Sequence, residues 1–417
     1  MKYLITIIIL ITTLSINAEI ITDGTLGQQL NLSGPDFQIT PNLGQQHGSN
    51  LFHSFQDFNL NSLESATFSG PDNIQNILSR VTGGNPSNID GLIRSTIPNA
   101  DMYFLNPYGI VFGDNAKLDV QGSFHASTAD YLRLGENGRF NTSNPNDSIL
   151  TVAPVEAFGF ITDLSSSITM KNSDLSVLAG NSLSLIGGNL LLQGDSAVIF
   201  DEGRYKAITA DSKLTAKGGR INLASIASGE LNYQDFRLDG KGSKVTLNKT
   251  LLETSAESSG SVFIRAGQLI MQEAVIQANT LGNKTGKEIN IEADEFININ
   301  GNLETILSKT FANAKGGSIN IITPDLKIVG SAINSSSFAD GDAGDVYIQA
   351  DKFEMNQGGL IGSGAKGTGK SSKFYIEAKD SLTLIGQRAI TTISDGEKFI
   401  NYPSIIATSA RSGVEKT

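Results

Sequence analysis

The feature that most limits what this chain can fold into is a phrase that keeps returning in its second half: a glycine, then an alternating apolar triplet. It reads Gly219-Arg-Ile221-Asn-Leu223, Gly260-Ser-Val262-Phe-Ile264, Gly286 leading to Ile289-Asn-Ile291, Gly317-Ser-Ile319-Asn-Ile321 and Gly344-Asp-Val346-Tyr-Ile348; Phe374-Tyr-Ile376 follows without its glycine. From about residue 255 the first apolar positions fall at 262, 289, 319, 346 and 374, so the unit is near 28 residues. A two-residue apolar period is the mark of a strand with one buried face. Each unit holds two weaker strand signals as well, such as Leu326-Lys-Ile328-Val and Ala332-Ile333-Asn334. Three short strands per unit make one coil of a three-faced solenoid, and such a coil can bury its inner face only by stacking on its neighbours. The expected fold is therefore all-β: a parallel β-helix, right-handed as parallel crossovers are, with an N-terminal cap. Ile221, Val262, Ile289, Ile319 and Val346 should share one inner face.

At 417 residues the chain is long enough for two conventional domains or one elongated one, and its 44 glycines suit many short strands and corners. It has no cysteine, so packing and ladders alone must hold it, which suits a chain that crosses a membrane unfolded. A net charge of −11 and a pI near 4.9 disfavour nucleic acid or an anionic membrane as partner.

Residues 1–18 read as a cleaved signal peptide: Lys2 is the positive end, Leu4 to Leu14 the apolar core, and Ile16-Asn17-Ala18 the cleavage site. At about 1.5 Å per residue the apolar core spans about 20 Å, short of the roughly 30 Å of a bilayer, so a signal is favoured over an anchor. The mature chain is then exported. From 19 to about 165 the chain reads as an N-terminal domain with its cap, and 166–417 as the repeat region. Phe52, Phe55, Phe58 and Phe68 concentrate aromatic surface suited to capping an open sheet, and the spacing of Ile74, Ile77 and Leu78 predicts a short helix over 72–80. Further on, Met102 to Leu105 and Ile110 to Phe112 flank Asn106-Pro107-Tyr108-Gly109. Asn first, Pro second and Gly fourth are the chemistry of a type I turn, the Asn side chain bonding back to the main chain. On turn chemistry alone, replacing Asn106 or Pro107 with Ala costs about 1 kcal/mol or less.

The blocks Asn106-Pro107-Tyr108-Gly109-Ile110-Val111-Phe112-Gly113, Gly122-Ser123-Phe124 with Ala126-Ser127-Thr128-Ala129-Asp130, and Ala153-Pro154 with Ala157-Phe158-Gly159-Phe160 stand in the order found in a known family, after Gly48-Ser49-Asn50-Leu51-Phe52-His53-Ser54-Phe55 and Arg80-Val81-Thr82-Gly83-Gly84. The chain resembles the N-terminal secretion domain of two-partner-secretion exoproteins, of which filamentous haemagglutinin is the type member. It departs at Tyr108, where the family's turn is usually Asn-Pro-Asn-Gly. The resemblance implies a haemagglutination-activity-type domain in a Gram-negative bacterium, read through its periplasmic domains by a partner outer-membrane transporter. It implies secretion or display at the cell surface as an adhesin for host cells, matrix or glycan, with Asn106, Pro107, Tyr108 and Gly109 as the secretion motif and no cofactor.

Several local patterns suggest sharper chemistry. Gly364-Ala-Lys-Gly-Thr-Gly369-Lys370-Ser371 fits the phosphate-loop pattern, but a strand, Phe374-Tyr-Ile376, follows where that loop needs a helix. It reads as a coil corner. Asp340, Asp342 and Asp345 could hold calcium, but the register lacks the glycine and glutamate of an EF-hand; a solvated acidic corner is expected. His47, His53 and His125 share no metal-ligand spacing, and there is no nucleophile elbow. A β-helical polysaccharide lyase or hydrolase needs converging carboxylates, whereas the aligned column holds Asn222, Phe263, Asn290, Asn320 and Tyr347. A binder without catalysis is expected. The last stretch, from Ile405-Ile406 on, carries no aromatic or amphipathic cap, so the remaining alternatives are a short family member or a truncated exoprotein without its effector.

Overall fold

A strand that alternates Ile, Val or Leu with polar residues has one side to hide, and here each hides it by joining the same strand of the coils before and after. The computed structural model describes residues 19–161, 165–201, 206–301, 304–393 and 397–410; residues 1–18, expected above to be a signal peptide, lie outside them. Over these residues the chain is an all-β parallel β-helix with three faces and, among the described residues, no α-helix. The first face climbs through Asn50–Phe58, Asn76–Val81, Asp101–Leu105, Phe124–Ser127, Ser182–Gly187 and Arg220–Asn232. It continues through Ser261–Gln272, Ile289–Asn300, Ile319–Val329, Val346–Asn356 and Phe374–Leu384. The second face begins at Ser87–Ile89, Ile110–Phe112 and Ile168–Lys171. The third runs from Asp36–Ile39 to Lys117–Asp119 and again from Asp174–Ser176 to Ile405–Ala410.

In the later coils the triplet and the second strand signal are one bent strand of eleven or twelve residues that serves two faces. Ile221, Val262, Ile289, Ile319 and Val346 stand in register and fully buried, as the repeat predicts. Stacking passes residue 165 without a break, since Phe124–Ser127 pairs with Ser182–Gly187 and Ile110–Phe112 with Ile168–Lys171.

The cap is built differently from the expectation. Ile20–Thr22 and Gly44–His47 run antiparallel to Asn50–Phe58 and close the edge of the first coil. Phe55, Phe58 and Phe68 lie inside the coils, with Phe58 4.9 Å from Phe104. The helix expected over 72–80 is instead a turn leading into the strand Asn76–Val81. That strand is buried on both sides: Ile77 faces the solenoid core and Leu78 an outer one. A doubly buried strand loses its two-residue alternation, which is why it imitates a helical face.

The outer core belongs to an element that the repeat does not announce. Gly138–Asn141, Tyr131–Leu134, Val155–Phe160, the end of Arg220–Asn232 and Leu238–Gly242 form an antiparallel sheet. It lies over the outside of the first face, where Phe52, Leu78 and Leu105 pack with Phe140, Phe158 and Leu231.

The recurring glycine has a steric cause. A Cβ on Gly219, Gly317 or Gly344 would run into the carbonyl oxygen of Asn181, Lys287 or Gly317 in the coil below. Gly317→Ala should therefore lower stability by about 1–3 kcal/mol, read as a drop in the urea midpoint; an unchanged midpoint would contradict this close approach.

Candidate functional site

Asp101–Leu105 ends a strand of the first face and Ile110–Phe112 opens one of the second, so Asn106-Pro107-Tyr108-Gly109 is the corner between them. Asn106 Oδ1 accepts the Tyr108 N–H at 2.9 Å, and its carbonyl accepts the Gly109 N–H at 3.1 Å. This is the turn the sequence predicts. The side chain also reaches back one coil: Nδ2 donates to the Asn85 carbonyl and to Ser87 Oγ, both at 3.0 Å. Gly109 holds φ at +122°, where a side chain would be strained, and its carbonyl accepts the Ser87 N–H at 3.0 Å. Asn106 is fully buried, Pro107 half-buried, and Tyr108 is 39% exposed with Val111 beside it at 36%. The motif thus divides into two inward residues that lock corner to corner and two that form the surface. Asn106→Ala strands one buried partner, Ser87 Oγ, and two part-buried ones, the Asn85 carbonyl and the Tyr108 N–H, raising its expected cost to about 1–3 kcal/mol.

Arg80, from another of the resembling blocks, is the residue whose role sequence reasoning missed. It is fully buried. Nε donates to Ser54 Oγ at 2.7 Å, Nη1 to the Asn141 carbonyl at 2.5 Å and Ser148 Oγ at 2.7 Å, and Nη2 to Thr25 Oγ1 at 2.9 Å. Its guanidinium lies 4.6 Å over the Phe140 ring. Ser54 hands the chain of bonds on to Asp23, which also accepts from Thr82 and Thr25. Burial pushes the Arg80 pKa down to about 10 against the pull of Asp23, so it stays charged at neutral pH. Burial tends to raise Asp23, but the hydrogen bonds from Ser54, Thr25 and Thr82 leave it below the usual carboxylate range. The signal available in the sequence was an Arg between Leu78 and Val81 in a strand with no polar side.

The three histidines lie apart. His53 sits inside the first coil beside Phe55 and Phe68. His125 lies under the outer sheet, with Nδ1 2.8 Å from Ser184 Oγ, Nε2 3.2 Å from Tyr233 Oη and its ring 4.6 Å from that of Tyr103. His47 edges onto Phe52. Among the described residues no group of three His, Cys, Asp or Glu is placed to hold a metal ion. The acidic corner is a ladder: Asp340, Asp342 and Asp345 accept the N–H groups of Thr368, Lys370 and Lys373 at 3.0, 2.8 and 3.1 Å. Two amides of the phosphate-loop pattern are therefore already given to carboxylates, which would repel a phosphate.

A stacked solenoid closed at its first coil by antiparallel strands, with its corner motif built into the stacking, defines a capped β-helical domain. The chain belongs to the family of TPS (two-partner-secretion) secretion domains, whose model matches residues 18–286. A curated relative, the heme/hemopexin-binding protein of Haemophilus influenzae, is 24% identical over 288 residues, covering 67% of this chain and 29% of that protein. The chain thus spans less than a third of the relative's length. A solved structure it resembles is the HMW1 secretion domain from Haemophilus influenzae, with a TM-score of 0.45 and 15% identity over 88% of this chain and 97% of that one. The chain is accordingly a two-partner-secretion exoprotein domain.

Two buried histidines give the fold an acid sensitivity. Burial pushes His53 from 6.5 down to about 4, and burial with the nearby Arg220 charge pushes His125 down to about 3. Unfolded, both take a proton near pH 6.5, so the unfolded chain binds more protons below that value. Stability from these groups is full above about pH 6.5 and falls as the pH drops toward the folded values, by about 1 kcal/mol per pH unit for each histidine. Urea midpoints from pH 7 to 5 should fall accordingly, and less steeply in His53→Leu; a flat profile would show that neither histidine is held neutral.

Proposed function

We propose that the chain is the exported, surface-presented part of an adhesin, carried out of a Gram-negative bacterium by a partner outer-membrane β-barrel that reads its N-terminal coils through periplasmic domains. The observation that carries this is the corner at Asn106–Gly109 within the family-matched region. Its buried half fixes the shape, and its exposed half, Pro107 and Tyr108 with Val111, is a small apolar surface free to be read. Display at the surface or release follows from the same route. Adhesion is supported by the architecture: a long face that repeats its outward positions coil after coil suits many weak contacts with a repetitive target, strengthened by multiple copies. The role we propose is binding without catalysis: the outer column Asn222, Phe263, Asn290, Asn320, Tyr347 and Tyr375 carries no carboxylate, and in the adjoining column Glu292 and Glu377 stand three strands apart. The heme or hemopexin binding in the relative's name stays with that protein, of which the matched stretch is 29%.

The division of the corner gives the test. In cells with the partner transporter, Tyr108→Ala should cut export several-fold while stability stays within about 0.5 kcal/mol. Asn106→Ala should lower export and stability together, and Pro107→Ala should cost about 1 kcal/mol or less. Immunoblots of culture medium beside urea unfolding of purified protein separate the two effects. Unchanged export of all three variants would remove the secretion reading of this corner.

A further inference from the structure

The outer sheet covers the first face only as far as the turn between residues 232 and 238. There Phe236 meets Phe263 at 6.0 Å, and the Arg220 guanidinium lies 4.0 Å over the Phe263 ring. Beyond this wall the outer column is bare: Asn290, Asn320, Tyr347, Tyr375. The two tyrosines stack with centroids 4.7 Å apart and planes 3° from parallel, 41% and 49% exposed. Tyr375 thus occupies one face of the Tyr347 ring and leaves the other toward Asn320. The short side chains of Asn290 and Asn320 form the floor between the aromatic walls; both are half-buried, and their carboxamides make no hydrogen bond among the described residues. From Phe263 to Tyr347 is three strand spacings, about 14 Å. The adjoining column, Arg265, Glu292, Ile322, Gln349 and Glu377, borders this slot. At its Tyr347 end lies a groove of about 550 Å³ lined by Asn320, Ile322, Tyr347, Gln349, Tyr375 and Glu377.

We propose that this slot binds a neutral oligosaccharide of two or three rings; its use in adhesion rests on the reading above. The chemistry matches a sugar on each side. A carboxamide both donates and accepts, as a run of hydroxyls requires, and an aromatic face takes the C–H side of a pyranose. Anionic glycans are disfavoured, because Glu292 and Glu377 border the slot, and of the cations at its Phe263 wall Arg265 is paired with Asp294 at 2.5 Å and Glu292 at 3.8 Å while Arg220 lies against the ring with Nε donating to Asn222 Oδ1. The strands that carry Phe263, Asn290, Asn320 and Tyr347 are each paired on both sides, so a peptide strand finds no unpaired backbone between the walls of the slot.

The test uses the secreted chain and cellotriose, chitotriose and a β-linked galactotriose, with a heparin tetrasaccharide as the anionic control, in titration calorimetry. At least one neutral trisaccharide should bind saturably. Tyr347→Ala should weaken it about tenfold, as should the double variant Asn290→Ala/Asn320→Ala, while Tyr347→Phe keeps the ring and stays within about threefold. These side chains point outward, and circular dichroism checks that the variants fold. Binding of none of the three neutral sugars, tighter binding of the heparin fragment, or indifference to both alanine variants would overturn the proposal. Beads coated with the protein keep the two readings apart: cell retention without trisaccharide binding sinks the slot alone, and trisaccharide binding without retention sinks the adhesin reading alone.

Discussion

No coil of this protein can keep its apolar side dry by itself. Each contributes only two or three strands, and both the main-chain pairing and the burial of Ile289 or Ile319 depend on the coils above and below. The rest of the architecture follows from that dependence. The recurrent glycines exist because coils must approach closely at one corner, closer than a Cβ allows over Lys287 or Gly317. The side chains of Asn106, Asp340, Asp342 and Asp345 are spent on bonds between coils. At the first coil of the described residues, antiparallel strands supply the partner that a stacked coil supplies elsewhere.

The repeating half was legible in the sequence because its strands have one wet side, so the two-residue alternation survives and the inner column could be named residue by residue. The first half was less so. Asn76–Val81 hides both sides, one in the solenoid and one beneath the outer sheet, and its unbroken apolar run matched a helical spacing equally well. The phenylalanines at 52, 55, 58 and 68 read as a cap over an open sheet, whereas Phe55, Phe58 and Phe68 fill the solenoid and Phe52 lies beneath the outer sheet, since nothing in their spacing tells an inner face from a cover. The antiparallel sheet over the first face went unseen because its strands come from distant stretches, and their pairing leaves no period.

The candidate corner was legible as a turn but not in its full bonding. Asn, Pro and Gly announce the bond from Asn106 to the Tyr108 amide, which is local; the bonds to Asn85 and Ser87 arise only once coils stack. The same limit hid Arg80, whose partners lie on three separate segments. It likewise hid the ladder under the phosphate-loop pattern, where the amides that the pattern offers are claimed by the previous coil.

The Arg80 network also bears on the order in which the molecule can form. Successive coils join residues about one repeat apart, so a growing solenoid can add them as the chain emerges. The guanidinium is different: it needs Thr25, 55 residues behind it, and Asn141 and Ser148, 61 and 68 residues ahead. Asn50 waits longer still, for the carbonyls of Thr151 and Ala153, 101 and 103 residues on. Until that length of chain is present, Arg80 has Ser54 and Thr25 but lacks the Asn141 carbonyl and Ser148, and a low-dielectric interior opposes closing around a cation whose Nη1 is unmet. A chain that appears N-terminus first therefore keeps its opening coils loose over roughly its first 150 residues, then closes them in one cooperative event that leaves a finished edge on which every later coil can be templated.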